Sequence, residues 1–68
     1  MSKNIFIETL KKCEHLSINS LGKLAIKTVE GLMDESDKQS REDLAENLKG
    51  HITLILRKAR NQSRKKGK

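Results

Sequence analysis

The amino-acid sequence predicts an all-α protein: a small three-helix bundle, or a helical hairpin with a short N-terminal helix, ending in a flexible basic tail and forming a homo-oligomer. Three observations lead there. The 68 residues include no proline and one aromatic, Phe6, and no long stretch alternates apolar with polar residues, so strands have little support. Three stretches instead repeat apolar residues at the 3.6-residue period of a helix facing a core. Finally, a chain this short buries little surface, and its one cysteine allows neither an internal disulfide nor a Cys-x-x-Cys zinc site. Helix packing, self-association or a partner must supply the missing stability.

The first helix is expected over residues 4–15. Ile5, Phe6, Leu10 and Cys13 share one arc, Leu16 lies just beyond it, and Asn4 or Ser2 can cap the first turn. Ile5 and Ile7 flanking Phe6 leave a short extended segment as the alternative. Residues 16–20 then gather Ser17, Asn19 and Ser20, whose side chains compete for backbone hydrogen bonds. A break is expected there, with Ser17 or Ser20 capping the next helix.

The second helix, residues 18–33, spreads Ile18, Leu21, Leu24, Ala25, Ile26, Val29, Leu32 and Met33 over roughly 200° of its surface. A face so wide has to be covered from two sides, which makes this the central helix of a bundle or the site of a subunit contact. Gly31 near its end can help terminate it. Asp34 to Gln39 contains no apolar residue and reads as a loop. Both Ser36-x-x-Gln39 and Ser40-x-x-Asp43 resemble capping boxes. Ser40 is preferred, because Leu44 follows closely and Glu42 and Asp43 suit the positive end of a helix dipole.

The third helix is expected over residues 41–61, with Leu44, Ala45, Leu48, Ile52, Ile55, Leu56 and Ala59 within about 120°. Leu54 falls outside this arc, among Asn47, Gly50 and Lys58, and is expected to be exposed, either as an ordinary surface leucine or as a contact for another molecule. Gly22 and Gly50 sit inside predicted helices at a cost of about 1 kcal/mol each relative to alanine, for which close helix approach is the usual compensation. Residues 1–60 thus form one helical domain and residues 61–68 a tail.

Charge is segregated along the chain. Residues 1–56 carry eight Lys/Arg and nine Asp/Glu, whereas residues 57–68 carry seven Lys/Arg and no acid. Seven of the nine acids lie between positions 30 and 46, so the two ends should prefer different partners.

No segment reaches the roughly 18 apolar residues of a membrane span, and the N-terminus has no signal-peptide stretch; a cytoplasmic location and no membrane partner are expected. The four glycines form no phosphate-cradling pattern. Cys13 and His15, two apart on a helix, would point about 200° away from each other and could not share a site. Cys13 reads as a small hydrophobe and His51, at the edge of the third apolar arc, as a partly buried structural histidine. No enzyme, cofactor, metal or small-molecule substrate is expected. Asp43-Leu44-Ala45-Glu46-Asn47-Leu48 weakly resembles the first helix of a helix-turn-helix, but the apolar period continues past Leu48 without a turn, and Glu42, Asp43 and Glu46 would repel phosphate.

The remaining signal is the C-terminal cluster Arg57, Lys58, Arg60, Arg64, Lys65, Lys66 and Lys68. Such a cluster neutralises phosphates and points to a regulatory or accessory protein binding DNA or RNA; without aromatic residues for stacking, sequence-specific single-strand reading is not expected. The alternatives are a tail that promotes solubility or meets an acidic protein surface, and an interaction module such as an inhibitor, adaptor or small chaperone. That module would use Asp34, Glu35, Asp37 and Leu54, or the apolar face of the second helix.

Overall fold

The computed structural model describes the backbone of residues 4–67 and the side chains of residues 4–62. These residues form three helices, α1 (Ile5–Cys13), α2 (Ile18–Asp34) and α3 (Lys38–Gly67), and no strand. The all-helical class is as expected, and Ile5 to Ile7 are helical rather than extended.

Asn4 caps α1 by accepting the Ile7 N–H at 3.1 Å, and Lys11 and Lys12 sit favourably at the negative end of its dipole. The helix stops two residues earlier than expected. Leu16 N–H turns back to the Cys13 carbonyl at 3.0 Å, and the Glu14 carbonyl receives the Lys58 ammonium at 2.7 Å. Ser17 caps α2, accepting the Ser20 N–H at 3.2 Å. Gly31 does not terminate α2; its carbonyl accepts the Glu35 N–H at 2.9 Å, and the helix runs on to Asp34.

The third helix begins three residues before the expected position, because Asp37 rather than Ser40 caps it. The Asp37 carboxylate accepts the Ser40 N–H at 2.9 Å, and its carbonyl accepts the Arg41 N–H at 2.9 Å. A carboxylate satisfies the same orphan donors as a serine hydroxyl and adds a favourable charge at the positive end of the dipole. No turn interrupts α3 after Leu48, so a helix-turn-helix is absent from this stretch.

The central helix is α3, not α2. At 30 residues it is about 45 Å long, and α1 and α2 both pack on it while barely meeting each other. Thr9 lies against Asn47 and Glu14 against Lys58, so α1 runs parallel to α3. Gly31 lies against Leu44, while Ile18 faces Lys58 and Asn61, so α2 runs antiparallel. The result is a thin body with principal extents of 47 × 28 × 14 Å.

Leu54 is a core residue, 5% exposed, which overturns its assignment to the solvent face. It lies one turn from both Gly50 and Lys58, on the side of α3 that α1 covers. This side looks polar in the sequence because its contacts are made by small and hydrogen-bonding groups. The buried Thr9 hydroxyl donates to Asn47 Oδ1 at 2.6 Å. A Cβ at Gly50 would fall 2.7 Å from Thr9 Cγ2, so the close helix approach expected of an internal glycine occurs here. At Gly22 it does not, since nothing lies within 4 Å. Conversely Ile52 and Leu56, expected in the core, are exposed.

Candidate functional site

The chemistry-bearing side chains do not converge. Among the described residues, no three His, Cys, Asp or Glu side chains gather where a metal could be held. Since α1 ends at Cys13, His15 lies in the turn, exposed; its separation from Cys13 is therefore not the helical geometry the sequence suggested. No described helix is long and apolar enough to cross a membrane.

His51 is buried at 5% exposure on α3, with Nδ1 lacking any hydrogen-bond partner among the described residues. Burial disfavours the imidazolium and lowers its pKa from the ordinary 6.5. The unfolded chain therefore takes up a proton at a pH where the fold does not. Stability is unaffected above about pH 6.5 and falls as the pH drops from there through the depressed folded value. Thermal melts at pH 7.5 and pH 5.5 should show the lower midpoint at pH 5.5, and His51→Leu should flatten the difference. An unchanged difference in that variant would assign the pH effect to other groups.

The basic cluster begins on the last described turns of α3. Arg57 and Arg60 are exposed, three residues apart on the outer side of the helix, and make no ion pair among the described residues. Lys58 faces inward and is half-buried, its ammonium held by the Glu14 carbonyl. It therefore fastens the α1–α2 turn to α3, a structural duty the sequence did not reveal. The side chains of Arg64, Lys65 and Lys66, and all of Lys68, lie outside the described residues.

The N-terminus of α2 opens at this same end. Its first turn carries no acid, and Leu16, Ser17 and Ile18 border an open groove against Lys58, Asn61 and Gln62. The positive end of the α2 dipole thus lies beside the first cations of the cluster.

Seven of the nine acids, Glu30 to Glu46, lie towards the opposite end, whereas Glu14 sits in the α1–α2 turn beside Lys58. Asp34 is exposed at the end of α2. Glu35 accepts the Asp37 N–H at 3.1 Å and Asp37 caps α3, so two of the three carboxylates considered for protein binding also shape the loop. Leu54, the fourth residue in that set, is inaccessible to a partner in this fold. The ion pair Lys49–Glu46, 3.3 Å apart, is exposed and worth about 0–1 kcal/mol.

A separate feature is apolar. Ala25, Ile26, Val29 and the stem of Glu30 on α2 and Leu48 and Ile52 on α3 line a groove; Met33, seven residues after Ile26, and Leu56, four after Ile52, continue the same two helix faces towards the ends. The wide face of α2 is thus only partly covered by α3.

No protein-family model, no curated protein and no solved structure matches the chain.

Proposed function

We propose that this chain is a non-enzymatic regulatory or accessory protein that binds nucleic acid through the basic C-terminal end of α3. The observation that carries this is the segregation of charge: the last twelve residues hold seven cations and no acid. Arg57 and Arg60 are exposed and free of ion pairs among the described residues. Cations spent on internal salt bridges gain little from phosphate, whereas unpaired ones release condensed counterions when they bind it. The acid-free N-terminus of α2 adds positive potential at the same end. The contacts are directed to the backbone of the nucleic acid and position the protein without reading base sequence.

The chain contains no tryptophan or tyrosine, so an absorbance maximum near 260 nm in the purified protein would report bound nucleic acid directly. Removing residues 61–68 deletes Arg64, Lys65, Lys66 and Lys68 and should leave most of the helicity intact. Each lost phosphate contact removes about 0.9 from the slope of log K against log salt for duplex DNA, so the slope should become shallower by up to about 3.6. Binding is measured at about 0.15 M salt, where exposed charges more than about 8 Å apart are largely screened. Affinity and slope unchanged by the truncation would refute the assignment to this segment.

A further inference from the structure

We infer that the apolar face formed by α2 and α3 is a self-association surface, on which two copies of this chain pack antiparallel about a twofold axis perpendicular to α3. The inference bears on the nucleic-acid reading, because the same Arg57 and Arg60 face the partner's acids in this dimer, so phosphate binding at these two residues competes with self-association. It starts from an imbalance in burial. Among the described residues only Leu21 and Leu54 are buried apolar side chains, while Ile26 is 62%, Met33 79% and Leu56 54% exposed, with Val29 and Ile52 also open. A core so small leaves a chain of this length marginal. The uncovered residues form a band along the α2–α3 groove rather than isolated surface positions.

Shape and area fit a second copy. The molecule is thin, with one broad face of 47 × 28 Å. An ordinary stable interface takes about 800 Å² from each partner, about 15% of this chain's 5365 Å².

Charge selects the orientation. Leu32, next to Met33, borders Arg41 and Ala45 near the start of α3, whereas Leu56 lies about 22 Å further along the helix. The Met33 end carries Asp34, Glu35, Asp37, Glu42 and Asp43 against Lys38 and Arg41, a net of −3, and the Leu56 end carries Arg57, Lys58 and Arg60 against Glu14, a net of +2. A twofold axis midway between these ends lays α3 on α3 and α2 on α2 of the partner subunit, so that the Leu56 end of each copy covers the Met33 end of the other. It also brings the arginines of each copy to the acidic end of the other. Parallel packing would bring like charges together at both ends, which is unfavourable.

Thiol cross-linking tests both the surface and the orientation. In a Cys13→Ala background, a mixture of Met33→Cys and Leu56→Cys proteins should be joined by a flexible bifunctional maleimide that spans neighbouring helices into a dimer containing one copy of each, with neither protein alone cross-linking to that extent. Cross-linking of each variant with itself would establish parallel packing and overturn the orientation. Sedimentation should show a dimer whose dissociation constant rises at least 100-fold in Ile26→Asp/Met33→Asp, with monomer helicity preserved because both side chains are already exposed. A wild-type monomer at millimolar concentration, or a dimer unaffected by this double change, would overturn the surface and leave the face to a different protein.

Discussion

Leu54→Asp is expected to unfold the protein. The side chain is 5% exposed; on its side of α3 Asn47 accepts from Thr9, Gly50 touches α1 and Lys58 is held by the Glu14 carbonyl, which leaves only the buried His51 imidazole, whose charged form burial disfavours. An unpaired carboxylate buried there costs about 4 kcal/mol or more. A core of this size supplies only about 3–5 kcal/mol in total. Leu54→Ala should lose about 2–5 kcal/mol by transfer and cavity costs alone. Leu56→Asp makes the contrast: its side chain is half exposed, so the monomer should stay helical while self-association weakens. Circular dichroism at micromolar concentration measures all three. A Leu54→Asp protein as helical and as heat-resistant as wild type would mean that α1 does not cover this side of α3.

Gly50→Leu is expected to displace α1. A Cβ at this position meets Thr9 Cγ2 at 2.7 Å and Thr9 Cβ at 2.8 Å, with the Phe6 carbonyl oxygen 3.5 Å away. The obstruction is thus at the root of a side chain and near backbone, neither of which can swing aside as a flexible tip would. Overpacking of this kind costs about 3 kcal/mol, more than the roughly 1 kcal/mol that replacing an internal glycine gains in helix propensity. If α1 leaves, the Thr9–Asn47 hydrogen bond and the Lys58 contact to Glu14 go with it, so amide exchange in α1 should accelerate well beyond that in α2. Gly22→Ala is the control. With nothing within 4 Å of its Cβ, it should stabilise the fold by about 1 kcal/mol. Equal protection of α1 in wild type and Gly50→Leu would disprove the close approach.

The candidate sites were legible to different depths. The charge separation needs only counting, because Arg57 to Lys68 form an uninterrupted acid-free run. That Lys58 differs from Arg57 and Arg60 was not legible, since its duty depends on the Glu14 carbonyl of a distant turn. The breadth of the α2 apolar face also showed in its periodicity. Which part α3 leaves uncovered depends on how two helices are rotated against each other, and no single helix records that.

Local chemistry determined the helical class, the Asn4 and Ser17 caps, the break after α1 and the polarity of the chain, because each arises from residues a few positions apart. The tertiary structure decided that α3 is central and that Leu54 is buried while Ile52 and Leu56 are not. The physical reason lies in the α1–α3 contact. A helical period finds a buried face when burial is achieved by large apolar side chains, and this contact relies instead on a missing side chain at Gly50, a hydrogen bond at Asn47 and an ammonium at Lys58. Those three residues carry the signature of a solvent face until α1 is laid against them.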